Sequence, residues 1–376
     1  MKIAICTDMY LPQLGGVADS VVLQARGLRA LGHDVRIFAA HMRGETPDDF
    51  VTRFPSFELY NGTFCIVSPF GITAAIASYA PDVIHVHSFG TIGLMARRAA
   101  RKLGISSVGT IHQSPVDYLH YFYINFEPFK TISLRLVAWF FSGFRIVTAP
   151  ASQPMDLFLR SGLRHVGTSI ISNAVDSHLF RHIDNMQELR NRIGLSHKAV
   201  LIFGRLAEEK RLDFALKIFA DVHSRTNAQL VIVGDGPHRS ELEAHARRLG
   251  IAEHTFFMGR LSGEELVTTI NACSVMLLTS RAEAQPMTIL QANLCGVPVV
   301  GARAGGIPES IDDGVTGCVI DADDTGAFSD HVSRLIADDT LRASMSEAAR
   351  AHAALHDPTV IARSWEKLYR TLPGVL

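Results

Sequence analysis

Four side chains in this sequence combine reactive chemistry with a telling position: Arg205, Lys210, Glu283 and His112. Arg205 and Lys210 lie in Gly204-Arg205-Leu206-Ala207-Glu208-Glu209-Lys210, directly after an apolar run at 200–203 that reads as a buried strand. A loop after such a strand lies at the carboxyl end of a parallel sheet, where α/β folds bind ligands. Two cations there can neutralise a diphosphate as it departs. Glu283 opens a second such loop, after the apolar run 274–279. Pro286 suits a helix start, and Met287, Ile289, Leu290 and Leu294 follow at helical spacing. The free N–H groups of Met287, Thr288 and Ile289 at that helix start suit a phosphate. Gly296 fits the helix C-cap, and 297–301 reads as the next strand. His112 ends the run 108–112, and a histidine at a strand end faces the same kind of crevice.

The elements that carry these residues must come from a globular, rather apolar chain. It has 376 residues, 47% of them hydrophobic and 19% charged, enough for two domains. Lys plus Arg is 36 against 37 Asp plus Glu, for a net charge of −1, which argues against a general nucleic-acid binder. Five cysteines are scattered without Cys-x-x-Cys spacing, as expected of buried free thiols in a reducing compartment. The N-terminus enters a strand at once, unlike a signal peptide, and no apolar run approaches the roughly 20 residues of a membrane span. The expectation is a cytoplasmic protein, at most peripheral on a membrane.

Strand 2–7, loop 8–19, helix 20–31 and strand 35–39 form a βαβ opening, the start of a parallel sheet. Gly15-Gly16 in that loop lets backbone approach a ligand, although it is not the G-x-G-x-x-G dinucleotide fingerprint. His85 and His87 share one face of strand 83–87; no third ligand is fixed by spacing, and no metal site is expected. Helix 91–103 ends in the basic cluster Arg97, Arg98, Arg101 and Lys102. Residues 118–144 carry ten aromatic side chains interleaved with His120, Lys130 and Arg135. That composition fits either a membrane interface or an aromatic core helix. Strand 229–233, the turn Gly234-Asp235-Gly236-Pro237, helix 239–249 and strand 255–258 continue the α/β alternation. Gly305-Gly306-Ile307-Pro308-Glu309 reads as a turn and helix start, and Trp365, Leu368 and Tyr369 sit at helical spacing near the end.

Taken together, Gly204-Arg205-Leu206 with Lys210, Gly234-Asp235-Gly236-Pro237 and the stretch from Glu283 resemble the retaining GT-B glycosyltransferases marked by Glu, seven residues, Glu, a family 4-like group. The resemblance implies an α/β fold of two doubly wound Rossmann-like domains facing a cleft: 1–180 for the acceptor, 181–357 for a nucleotide sugar, and a helix within 358–376 crossing back to the first domain. It implies catalytic roles for His112, Arg205, Lys210 and Glu283. It places Gly15, Gly16, Gly204, Gly234, Met258, Arg260, Gln285, Pro286, Met287, Thr288, Ile289 and Gln291 around the donor, with no metal or other cofactor required. The chain departs from the pattern at the second Glu, which is Gln291: it still accepts from a ribose hydroxyl, but without charge. Asp117, Tyr118, His120 and Tyr121 resemble the acceptor-side loop of bacterial diacylglycerol glucosyltransferases, which implies a lipid acceptor and an anionic membrane surface as partners. A soluble or polysaccharide acceptor stays open. So do a nucleotide-sugar epimerase, betrayed by donor consumption without acceptor, and a non-catalytic nucleotide-sugar-binding protein, betrayed by binding without turnover.

Overall fold

The structure, a computed structural model, describes all residues except 13–14, 46–47, 60–63, 113, 115, 117–125 and 376. It divides into two α/β units, one of Met1–Ala174 with Pro358–Leu376 and one of Val175–Asp357. Val175 and Phe180 lie in the core of the second unit.

The first unit runs β1 (Lys2–Thr7), α1 (Gly16–Ala30), β2 (Asp34–Ala40), β3 (Val51–Phe54), β4 (Ser56–Leu59), β5 (Phe64–Val67), α2 (Ile72–Tyr79), β6 (Val83–Val86), α3 (Thr91–Leu103), β7 (Ser106–Thr110), α4 (Glu127–Phe141), β8 (Ile146–Ala149), α5 (Ser152–Arg160) and β9 (Gly167–Ile170). Seven strands form one sheet in the order β3-β2-β1-β6-β7-β8-β9, every pair parallel, while β4 and β5 form a separate antiparallel hairpin. The chain winds from β1 outward to β3, then returns to β6 on the other side of β1. That reversal is the switch point at which doubly wound sheets open a crevice.

Helix α1 begins at Gly16, four residues before the position read from the sequence. Gly15 is the N-cap, and the Asp19 amide donates to its carbonyl at 3.0 Å. The Gly pair reads as loop because glycine is a poor helix interior residue, yet at a cap and first position it costs little.

The second unit runs α6 (Met186–Arg192), β10 (Ala199–Phe203), α7 (Leu212–Thr226), β11 (Gln229–Val233), α8 (Arg239–Arg248), β12 (Thr255–Gly259), α9 (Gly263–Ala272), β13 (Val275–Leu278), α10 (Met287–Leu294), β14 (Val299–Ala302), β15 (Gly317–Ile320), α11 (Thr325–Ala337) and α12 (Asp339–Ala354). Its six strands are parallel in the order β12-β11-β10-β13-β14-β15, so its switch point lies between β10 and β13. Strand β11 is buried along its whole length, as helices on both faces of a parallel sheet require. No helix starts at 305–309, contrary to the sequence reading; the segment is a turn.

The last helix, α13 (Pro358–Arg370), belongs to the first unit, where Trp365 and Tyr369 enter the core formed by Ile3, Ile5, Val21 and Leu28. Its anchor is polar as well as apolar. Tyr369 OH is 2.6 Å from Nδ1 of His85 and accepts from Gln24 Nε2 at 2.9 Å. His85 Nε2 lies 2.6 Å from Thr110 Oγ1, which is 2.7 Å from Thr148 Oγ1. This buried chain joins α1, β6, β7, β8 and α13.

Candidate active site

In the second unit the sequence-derived residues collect at the switch point. Arg205 and Lys210 follow β10, and Glu283 follows β13, its neighbour in the sheet. The Lys210 ammonium is ion-paired with the Glu283 carboxylate, their side chains only 22% and 12% exposed. The Arg205 guanidinium pairs with Glu209 one turn on. Thr279 Oγ1 donates to Lys210 O at 2.9 Å, tying the end of β13 to the Lys210 loop. Arg211, at φ 52°, donates to Asp323 at 2.9 Å, where Arg281 also pairs. Both cations are thus held by loops fixed at each end.

Two close approaches explain glycines here. A Cβ on Gly234 would lie 1.9 Å from the Gly204 carbonyl oxygen, so the loops after β10 and β11 meet only because Gly234 has no side chain. A Cβ on Gly305 would lie 2.5 Å from the Glu283 carbonyl oxygen, which accepts from the Gly306 amide at 2.8 Å. The sequence pattern at Gly305-Gly306 reads as a turn and helix start, with no sign of a contact to Glu283. The structure makes it the brace of Glu283, a contact between segments 22 residues apart that local pattern cannot show.

Helix α10 starts at Met287 with Pro286 as N-cap. The Met287 and Thr288 amides have no backbone partner among the described residues, whereas the Ile289 amide donates to Pro286 O at 3.1 Å. Of the three amides expected to be open, Ile289's is therefore engaged. Met287, Ile289 and Leu290 are buried, while Thr288 and Gln291, three residues apart on one helical face, are partly exposed, as is Gln285. Met258 and Arg260 sit at the carboxyl end of the edge strand β12, Met258 half-buried and Arg260 exposed. Two strand spacings separate β12 from β10, about 10 Å, a length that a nucleotide spans.

The first unit assembles a different site. Gly15 and Gly16 are exposed after β1, and a Cβ on either would meet nothing within 4 Å. Across the switch point, past the end of β6, His87 Nδ1 lies 2.8 Å from Nε2 of His112, which lies past the end of β7. Burial holds His112 far below the usual imidazole value, at about 4. Burial, reinforced by the neighbouring rings, also holds His85 and His87 well below that usual value. All three are neutral at neutral pH. His87 Nε2 has no hydrogen-bond partner. An orphaned lone pair is cheaper to bury than an orphaned N–H, so the favoured arrangement has His87 Nδ1–H donating to His112 Nε2. His112 then carries its own proton on Nδ1 and offers a neutral donor.

The buried Asp8 carboxylate caps α3, accepting from the Ile92 amide at 2.9 Å and from Ser88 Oγ. The four acceptor-side residues expected from the sequence, Asp117, Tyr118, His120 and Tyr121, lie outside the described residues. Among the described residues no group of three His, Cys, Asp or Glu is placed to hold a metal ion, and no helix is long and apolar enough to cross a membrane.

The profile of Glycosyltransferase Family 4 matches residues 14–179, and that of Glycosyl transferases group 1 matches residues 185–352. A GDP-mannose-dependent alpha-mannosyltransferase of Corynebacterium glutamicum is 29% identical over 93% of this chain and 84% of its own. An alpha-monoglucosyldiacylglycerol synthase of Streptococcus pneumoniae is 28% identical over 80% of this chain and 70% of its own. The fold is that of Anabaena HepE, solved in complex with UDP and glucose, with a TM-score of 0.79 at 21% identity over 99% of this chain and all of the other. The fold and the two family profiles define an enzyme of the GT-B glycosyltransferase class. Within that class the chain belongs to the glycosyltransferases that join a family 4 domain to a group 1 domain.

Proposed function

We propose that the protein transfers a hexose, with retention of anomeric configuration, from a nucleoside-diphosphate sugar to a membrane lipid, working as a peripheral protein on the cytoplasmic face of the membrane. The observation that carries this reading is the Lys210–Glu283 pair beside the open amides of Met287 and Thr288 at the switch point of the second unit. A diphosphate meets two cations and a helix N-terminus there.

In this reading Arg205 and Lys210 neutralise the charge that builds on the diphosphate as the bond from anomeric carbon to phosphate oxygen breaks. The bonding electrons leave with the nucleoside diphosphate, and the anomeric carbon passes through an oxocarbenium-like state. The acceptor hydroxyl forms the new bond on the same face and gives its proton to the departing phosphate oxygen. Glu283 accepts from sugar hydroxyls while holding Lys210 in place, and His112 donates a neutral N–H to the sugar. Met258 and Arg260 flank the base, Gln291 accepts from the ribose, and Gly15-Gly16 leaves room beside the phosphates. With two protein cations in place, no step needs a metal.

The relatives named as alpha-monoglucosyldiacylglycerol synthases support a lipid acceptor, and HepE's bound UDP supports a uridine donor. A GDP-mannose donor is the second reading, favoured by the name of the Corynebacterium relative. The test is transfer from radiolabelled UDP-hexoses and GDP-mannose to extracted membrane lipids. Label in the organic phase from one donor, with the product anomer matching the donor's, is the expected result. Label only in water-soluble products, or an inverted anomer, would reject the reading.

A further inference from the structure

Helix α4 breaks the rule for a helix on a soluble protein. Its inner face, Val137, Ala138, Phe140 and Phe141, is buried in the first unit's core. Its outer face is apolar too: Phe126 at the N-cap is 67% exposed, Ile132 61%, Leu136 62% and Trp139 60%. Ile132, Leu136 and Trp139 fall on one stripe along a helix of about 22 Å. An exposed apolar stripe of this size marks a contact surface. Beside it lies a recess lined by Arg135, Arg160, Ser161, Gly162 and Arg164. All three guanidinium groups belong to exposed residues and have no carboxylate partner among the described residues. Arg97 adds a fourth cation, 4.7 Å from the centre of the Trp139 ring.

We infer that this face of α4 is the surface through which the protein docks on an anionic lipid bilayer, with Ile132, Leu136 and Trp139 entering the headgroup region and the Arg135–Arg160–Arg164 recess taking lipid phosphate. Charge complementarity selects this occupant. An anionic membrane engages both at once, the apolar stripe entering among the headgroups while the three arginines beside it meet lipid phosphate. The inference rests on the proposed lipid acceptor only for its biological sense; the surface itself is read from exposure and charge.

The chain supplies its own probe. It has two tryptophans, Trp139 on this face and Trp365 buried at 5% exposure. Equimolar phosphatidylglycerol–phosphatidylcholine vesicles should shift tryptophan emission to the blue, and brominated lipid should quench it; pure phosphatidylcholine vesicles should do neither. Trp139→Phe should bind these vesicles but lose the shift and the quenching. Arg160→Gln with Arg164→Gln should weaken co-sedimentation roughly 25-fold, about fivefold per cation near an anionic surface. The same variant should keep its turnover on a short-chain acceptor in detergent micelles. Leu136→Glu should abolish vesicle binding while keeping the wild-type melting temperature.

Vesicle binding with no Trp139 signal, or binding lost instead through the exposed Phe57–Ile66 pair of the β4–β5 hairpin, would overturn the inference and leave the lipid acceptor standing. A concentration-dependent dimer in sedimentation equilibrium, removed by Leu136→Glu, would also overturn it, assigning the stripe to a second copy. Docking through α4 without label entering lipid would instead reject the proposed acceptor and keep the surface.

Discussion

The two units solve the same topological problem with opposite chemistry. Each places its candidate residues where its parallel sheet reverses direction, between β1 and β6 in one and between β10 and β13 in the other. In the second unit those residues are charged, paired and partly exposed: Lys210 with Glu283 and Arg205 with Glu209. In the first they are neutral rings packed against each other, with His87 and His112 joined at 2.8 Å and the His85 ring tilted against His87 with centroids 4.1 Å apart. A site built of cations and helix amides suits a group that arrives charged and leaves more charged. A site of buried neutral imidazoles suits hydroxyls, and protonation would spoil it. The contrast teaches that topology decides where a site lies, while burial decides what it can hold.

The comparison breaks most readily at Lys210. Lys210→Ala should lower kcat roughly 10²–10³-fold, as expected when a group stabilising charge in the transition state is lost. A thermal melt belongs beside the assay, because the variant also leaves Glu283 unpaired. A near-normal rate would remove the leaving-group role.

His112→Ala should lose about tenfold in kcat, the scale of one neutral hydrogen bond. His87→Phe, which removes the bond that fixes the His112 proton, should lose slightly less. If His87→Phe is indistinguishable from wild type, His87 does not set the proton on His112.

Acid sharpens the contrast between the units. His112 takes its proton near pH 4 in the fold but near 6.5 when unfolded, and burial lowers His85 and His87 in the same direction. The unfolded chain therefore binds more protons in that window, and the stability from these neutral rings, complete above pH 6.5, is lost as pH falls toward 4. Burial raises Asp19 to about 6 and raises Asp8 as well, so these two carboxyls act in the opposite sense. His33, His245 and His356 are lowered by burial too and act with the three rings, so the net is a loss, read as a lower urea midpoint at pH 4.5 than at 7.5. A midpoint that rises on acidification would contradict the buried neutral rings.

The smallest effect is expected at Gln291. Gln291→Glu supplies a charged acceptor to a ribose hydroxyl, about twice as strong as a neutral one, and should lower the donor KM a few-fold with kcat unchanged. An unaltered KM would place the ribose elsewhere.

Much of this architecture was legible in the chain because apolar runs and breakers are local signals. Strands β1 and β11 and helix α3 fall on the residues that the apolar pattern marks. The switch-point loops were legible for the same reason, since Arg205, Lys210 and Glu283 each follow a buried run. What escaped is non-local. Nothing near Gly305 says that it braces Glu283, and nothing near His87 says that His112 lies within 2.8 Å. Pattern also could not divide the aromatic segment between core and surface, because α4 is apolar on both faces: Phe140 and Phe141 are buried while Leu136 and Trp139 are exposed. The short strands β3 to β5 carry too few residues for a period to emerge.

The central claim is that the second unit holds the diphosphate and that the neutral histidine of the first does not. The direct test is the affinity of UDP and of GDP, by calorimetry, for wild type, Lys210→Ala and His112→Ala. The account predicts that whichever nucleotide binds wild type binds His112→Ala equally well and Lys210→Ala at least tenfold more weakly. Equal affinity for wild type and Lys210→Ala, or a loss at His112→Ala as large as that at Lys210→Ala, would contradict it.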